Sequence, residues 1–126
     1  MTVLMFQKRF VEPIKAGTKH QTIRPPRKRP LQDGMVLSLR HWEDKAYRSP
    51  QVEFATVLCS GSVPIEIAAD GIRFGTAGWC KSRKHLDEFA RCDGFGNWAE
   101  MKEFFESRFG YGLPFKGTLI QWEDVK

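Results

Sequence analysis

Lys19, Thr22 and Arg24 stand within six residues of one another: an amine that can lose its charge, a hydroxyl, and a cation that keeps its charge at any physiological pH. A lysine desolvated enough to be neutral can take a proton from water or from the threonine, and a guanidinium beside them can hold a phosphate or an oxyanion. If residues 21–24 form a strand, alternation sends Thr22 and Arg24 to one side and Ile23 to the other. An Ile23 facing the core then leaves hydroxyl and guanidinium together on the opposite face, with Lys19 leaning over it from the start of the strand. The plainer reading of the same residues is an edge strand with a solvated polar face.

The neighbouring sequence supplies elements to hold this group. Phe10 and Ile14 are four apart and share one helical face, and Gly17 follows where a short helix needs a residue tolerant of the left-handed conformation to stop. Val3 to Phe6 reads as a first strand. Arg24 to Pro30 reads as an extended, proline-stiffened basic loop ending at an Asp33-Gly34 turn. Met35 to Trp42 and Val52 to Cys59 are rich in strand formers, with a polar connection between them. Val63 to Ile67 and Ile72 to Phe74 are expected as a separate small hairpin about Asp70-Gly71, with Pro64 confining its first strand to an edge. Lys81 to Arg91 is helical in pattern, with Leu86, Phe89 and Ala90 on one face and Asp93-Gly94 ending it. Asn97 and Glu100 form a capping-box-like start to a helix running to Gly110, and its Trp98, Met101, Phe104 and Phe105 recur at core-facing spacing. Thr118 to Trp122 supplies a closing strand. Strands flanked by a few helices, without repeats or linkers, predict one α+β domain over 1–126.

Two blocks resemble the ASCH domain family, in its phage and prophage-like branch. The first is Phe6-Gln7-Lys8-Arg9-Phe10 followed by Ile14, Gly17, Lys19 and Thr22-Ile23-Arg24; the second is Asp93-Gly94-Phe95 with Trp98, Met101, Phe104-Phe105, Tyr111-Gly112 and Gly117 to Trp122. The resemblance implies a small PUA-like β-barrel flanked by helices. It implies a nucleotide- or RNA-directed function, with three activities described in such proteins: an amidohydrolase removing the acetyl group from acetylated cytidine, a non-catalytic RNA or modified-base binding module, and a ribonuclease. For the amidohydrolase it implies a catalytic set of Lys19, Thr22 and an acid. The family pattern has a Glu shortly before the last helix, whereas this chain offers Asp93 in a differently spaced Asp-Gly-Phe segment. That segment reads equally as a helix-ending turn with Phe95 in the core. A ribonuclease would lack a His pair of obvious acid/base spacing here.

Charge is unevenly distributed. The net charge is +5, yet residues 1–50 hold 11 Lys plus Arg against 4 Asp plus Glu, and the remaining 76 residues hold 9 against 11. No acid separates Glu12 from Asp33, a window containing Lys15, Lys19, Arg24, Arg27, Lys28 and Arg29. Such a concentration favours a polyanion, through counterion release at each phosphate neutralised. Arg9, Arg24, Arg27, Lys28 and Arg29 are therefore candidate phosphate contacts. Trp79, beside Lys81, Arg83 and Lys84, is a candidate stacking platform or a loop anchor. Tyr47, between Lys45 and Arg48, repeats that pattern more weakly. Three cysteines without a close pair and three isolated histidines support neither a disulfide frame nor a metal site, and no cofactor is expected. The absence of an apolar run of spanning length and of a signal-like start predicts a cytoplasmic protein with no membrane partner. A hydrophobic content of 41% is ample for one core.

Overall fold

The computed structural model describes residues 2–29, 31–108 and 113–124. Six strands form one mixed sheet: β1 (Thr2–Met5), β2 (Gln21–Arg24), β3 (Val36–Trp42), β4 (Gln51–Ala68), β5 (Gly71–Phe74) and β6 (Phe115–Asp124). Three helices accompany it: α1 (Val11–Ala16), entered through a single 3-10 turn at Lys8–Phe10, α2 (Arg83–Cys92) and α3 (Trp98–Arg108). The strand order is β1-β3-β4-β6-β2, with β5 added to β4. The β1–β3 pair is parallel and every other pair is antiparallel. Strand pairing does not close the sheet among the described residues: β1 and β2 are the two ends of the path. The helix expected to run to Gly110, and Tyr111-Gly112 of the second block, extend beyond the described residues. No helix among the described residues is long and apolar enough to cross a membrane.

The strand expected at Val52–Cys59 and the separate hairpin strand expected at Val63–Ile67 are corrected to one element. β4 runs 18 residues, passing through Ser60 and Gly61 with a register shift between Cys59 and Gly61. Its first half pairs with β3 and its second with β6. The bulge lets one strand turn from one partner to the next, and the register shifts within the Cys59-Ser60-Gly61 segment. Pro64 is also corrected. It lies opposite Thr118 within the β4–β6 ladder, and its carbonyl accepts from the Gly75 amide at 2.9 Å where the β5 ladder ends, so its missing N–H falls at the margin of the pairing. The expected turn at Asp70-Gly71 does join β4 to β5.

The core is continuous. Leu37 and Leu39 of β3, Ile65 and Ile67 of β4, and Phe115, Leu119 and Ile120 of β6 are buried against Leu86 and Ala90 of α2 and Trp98, Met101 and Phe105 of α3. The aromatic stripe of α3 is thus core. Two local devices aim the chain at the site. Gly17 ends α1 at φ 82°, where the left-handed conformation costs glycine nothing. At the other device, Asn97 Oδ1 accepts from the Glu100 amide at 2.9 Å, and the Glu100 carboxylate reaches back to the Gly96 amide at 3.0 Å. This capping arrangement fixes the start of α3 just after the Asp93-Gly94-Phe95 turn.

Candidate active site

β2 is flanked on both faces, and this changes the meaning of its polar residues. Gln21 and Thr22 are buried together with Ile23, and Lys19 just before the strand is 2% exposed. A strand with a solvated polar face is therefore excluded. Instead the polar groups turn inward, into a cavity of about 180 Å³ walled by Phe6, Phe10, Phe95 and Phe104 and reached by Lys19, Thr22, Arg24 and Asp93.

Asp93 arrives from the end of α2. Its amide is bonded to Phe89 and Ala90 carbonyls, and the Phe95 amide to the Ala90 carbonyl at 2.9 Å, so the segment is a helix-ending turn with Phe95 buried in the core. The same turn delivers the carboxylate to Lys19. The helix-ending reading of Asp-Gly-Phe therefore holds, and the turn itself brings Asp93 to the cavity. Gly94 makes this possible: its φ is 95°, and a Cβ there would lie 2.8 Å from Lys19 Cδ and 2.9 Å from Phe10 Cδ1. A side chain would therefore meet both the strained backbone region and the lysine stem.

The lysine is held at three points. Its ammonium donates to the Asp93 backbone carbonyl at 2.5 Å, lies 3.5 Å from Asp93 Oδ1, and sits 4.8 Å from the Phe10 ring centroid. The carbonyl belongs to the negative end of the α2 dipole, which favours a cation. Desolvation opposes this. Burial lowers Lys19 from its ordinary 10.5 to about 8, against the pull of the Asp93 carboxylate, with Arg24 adding a smaller push in the same direction as burial. Burial likewise raises Asp93 from 3.8 to about 6, while Lys19 and the Gln21 amide resist. Gln21 Nε2 is 3.5 Å from Asp93 Oδ1, a long contact that favours the ionised carboxylate.

Arg24 is a brace as well as a charge. Its Nε donates to Thr22 Oγ1 at 3.1 Å, a second nitrogen donates to the Met5 carbonyl of β1 at 2.6 Å, and the guanidinium lies 4.7 Å from the Phe6 ring centroid. The threonine oxygen therefore accepts from Arg24, which leaves its own hydrogen to be given to another acceptor. Lys19, Thr22, Arg24 and Asp93 thus meet in one small, largely aromatic cavity. Chemically this offers a proton acceptor and donor in contact, a hydroxyl, and a fixed positive charge.

The other expected site residues are placed elsewhere. Arg9 is taken by Glu100 at 2.5 Å and lies over Phe10 and Phe95, so it ties the first helical turn to α3 behind the cavity wall. Trp79 does not line the cavity; Arg73 stacks on it at 5.0 Å. Arg27, Lys28 and Arg29 are exposed on the loop that continues from Pro25, itself a wall residue. No cluster of His, Cys, Asp or Glu suited to a metal occurs among the described residues. One contributor escaped the sequence reading: Gln21 gave no local signal, since a glutamine beside a threonine in a short strand looks solvated until a helix end covers it. No protein-family model, no curated protein and no solved structure matches this chain.

Proposed function

We propose that this chain is an ASCH-type, PUA-like domain that hydrolyses an amide on an acylated nucleobase such as acetylated cytidine, the substrate that the family resemblance suggests. The observation that carries the proposal is the buried Lys19–Asp93 pair, 3.5 Å apart beside Thr22 and Arg24, with Lys19 lowered to about 8 and Asp93 raised to about 6. Buried groups shifted toward neutrality from both sides are the signature of proton handling. For the PUA-like barrel, the supporting contact is the Arg24 bond to Met5, which bridges the seam between the two end strands.

Size also speaks for a base. A cavity of about 180 Å³ is smaller than the ~300–1,000 Å³ typical of drug-sized ligands. It admits one ring and its substituent between aromatic walls, leaving sugar and phosphate outside, toward Pro25 and the basic loop.

In the reaction, neutral Lys19 takes a proton from water, or from the Thr22 hydroxyl, as the oxygen adds to the amide carbon. Arg24 faces the charge that develops on the carbonyl oxygen. The proton held by Lys19 passes to the leaving amine through Asp93, in contact with it. The C–N bond breaks, giving the free amino base and acetate, and a proton leaves with ionisation of the acid. When Thr22 is the nucleophile, a second water releases acetate from its ester. The test is hydrolysis of acetylated cytidine, followed by release of cytidine: Lys19→Ala and Thr22→Ala should abolish turnover with circular dichroism unchanged. Absence of turnover by the wild type would replace this reading with a non-catalytic base-binding module.

A further inference from the structure

A second cavity, about 340 Å³, is lined by Pro26, by Pro64 and Glu66 of β4 and by Lys116 and Thr118 of β6. Pro25 lines the candidate active site and Pro26 lines this groove. The two also share a rung of the sheet: Arg24, in the active-site cavity, is opposite Thr118, which lines the groove. Directly opposed residues of an antiparallel pair project to the same side, so Arg24 and Thr118 link the two cavities through one rung of the β2–β6 ladder. Two positions further along β6, about 7 Å at the rise of a strand, Lys116 lines the groove and is exposed.

The charges around the groove favour an anion. Lys116 stands opposite Glu66 on β4, and Glu66 opposite Arg73 on β5. Arg73 bonds Glu66 at 2.8 Å, so the one carboxylate among the described residues lining the groove is already neutralised from the other side. Arg27, Lys28 and Arg29 follow Pro26 directly and are exposed.

We propose that this groove is a second nucleotide subsite, and that the substrate is single-stranded RNA rather than a free nucleoside. The strand whose modified base enters the Lys19 cavity passes over Pro25 and Pro26 and lays the neighbouring nucleotide in the groove, its phosphate against Lys116. The inference rests on reading the first cavity as a nucleobase site. An acidic peptide would match the charge but would have no reason to follow the line from the base-sized cavity.

The experiment measures anisotropy of a short labelled single-stranded RNA containing one acetylated cytidine, over a salt series, with wild type, Lys116→Glu and, as a charge-matched control on α2, Lys84→Glu. Turnover of free acetylated cytidine is measured in parallel. Lys116→Glu is expected to weaken RNA binding by roughly tenfold and to flatten the log–log salt slope by about 0.7, the contribution of one phosphate on a single strand. Its kcat/KM on the free nucleoside should stay at the wild-type value, and Lys84→Glu should bind RNA within about twofold of wild type. The proposal is overturned if the wild type does not bind the RNA, if Lys116→Glu binds as well as wild type, or if Lys84→Glu loses as much. Failure of the wild type to hydrolyse the free nucleoside would count against the amidohydrolase reading alone, since a loss of RNA binding confined to Lys116→Glu would still establish the subsite.

Discussion

Two polar clusters sit on the same sheet and behave oppositely. At β2, Lys19 and Asp93 are each 3% exposed in their side chains, and burial is the largest influence on both. On β3 and β4, Ser38 donates to Glu53, Thr56 donates to Glu53 at 2.9 Å, and Arg40 donates to Ser38 at 2.8 Å, around a carboxylate that is open to water. There the hydrogen bonds dominate, Ser38 first, and hold Glu53 below its ordinary 4.5. The same residue types thus yield a carboxylate fixed as an anion in one place and a pair with proton affinities near neutrality in the other. Desolvation makes the difference, because it acts against whichever form carries charge.

The largest expected effect breaks the buried pair from one side. Lys19→Met should cost about 3–5 kcal/mol in chemical denaturation, because it leaves a buried carboxylate without its cation, whereas Lys19→Met with Asp93→Leu should recover most of that loss. A double variant no more stable than the single one would show that the two residues are not coupled. Next comes the turn that delivers Asp93. Gly94→Ala should cost about 1–3 kcal/mol, since an L-residue is strained at that φ and its Cβ overlaps the Lys19 stem. An unchanged denaturation midpoint would mean that the turn relaxes and Asp93 is held by something else.

The pH dependence of stability sharpens the contrast. The folded value of Lys19, about 8, lies below its ordinary 10.5, so the unfolded chain binds more protons in that window and stability climbs as pH rises from 8 to 10.5. The folded value of Asp93, about 6, lies above 3.8, so the folded chain binds more protons and stability falls as pH rises from 3.8 to 6. The pair therefore detracts most from stability between pH 6 and 8, where function would need it. Glu53 has the opposite sign: its contribution is present above 4.5 and disappears as pH falls through its lowered folded value. Denaturation midpoints across pH should show the neutral trough in wild type and lose it in the Lys19→Met/Asp93→Leu variant. Glu53→Gln should leave the trough in place and produce the smallest change of the series.

How far the sequence revealed this arrangement depended on how local each signal was. Gly17 after Phe10 and Ile14, and the Asn97 and Glu100 cap, are decided within one helical turn, and each expected element forms there. Lys19, Thr22 and Arg24 are recognisable as a group because Thr22 and Arg24 share a short strand and Lys19 stands just before it. Other features depend on partners far along the chain. Gln21 matters because the end of α2 covers it, 72 positions away. Arg9, a candidate phosphate contact, is held by Glu100, 91 positions away. Trp79 is a separate case: read as a stacking platform or a loop anchor, it carries Arg73 of the preceding strand β5, only six positions away. The length of β4 was hidden for a related reason: a Ser-Gly-Ser run reads as a break unless partners on both sides continue the strand.

The central claim is that Lys19 is an amine poised near neutrality by burial and restrained by Asp93. Nitrogen-15 NMR titration of the Lys19 side chain tests it most directly, in wild type and in Asp93→Asn. Titration near 8 in wild type is expected, moving lower in Asp93→Asn, because the carboxylate is the chief influence holding the value up against desolvation. A Lys19 that titrates above 10 in both proteins, as a solvated lysine does, would contradict the account.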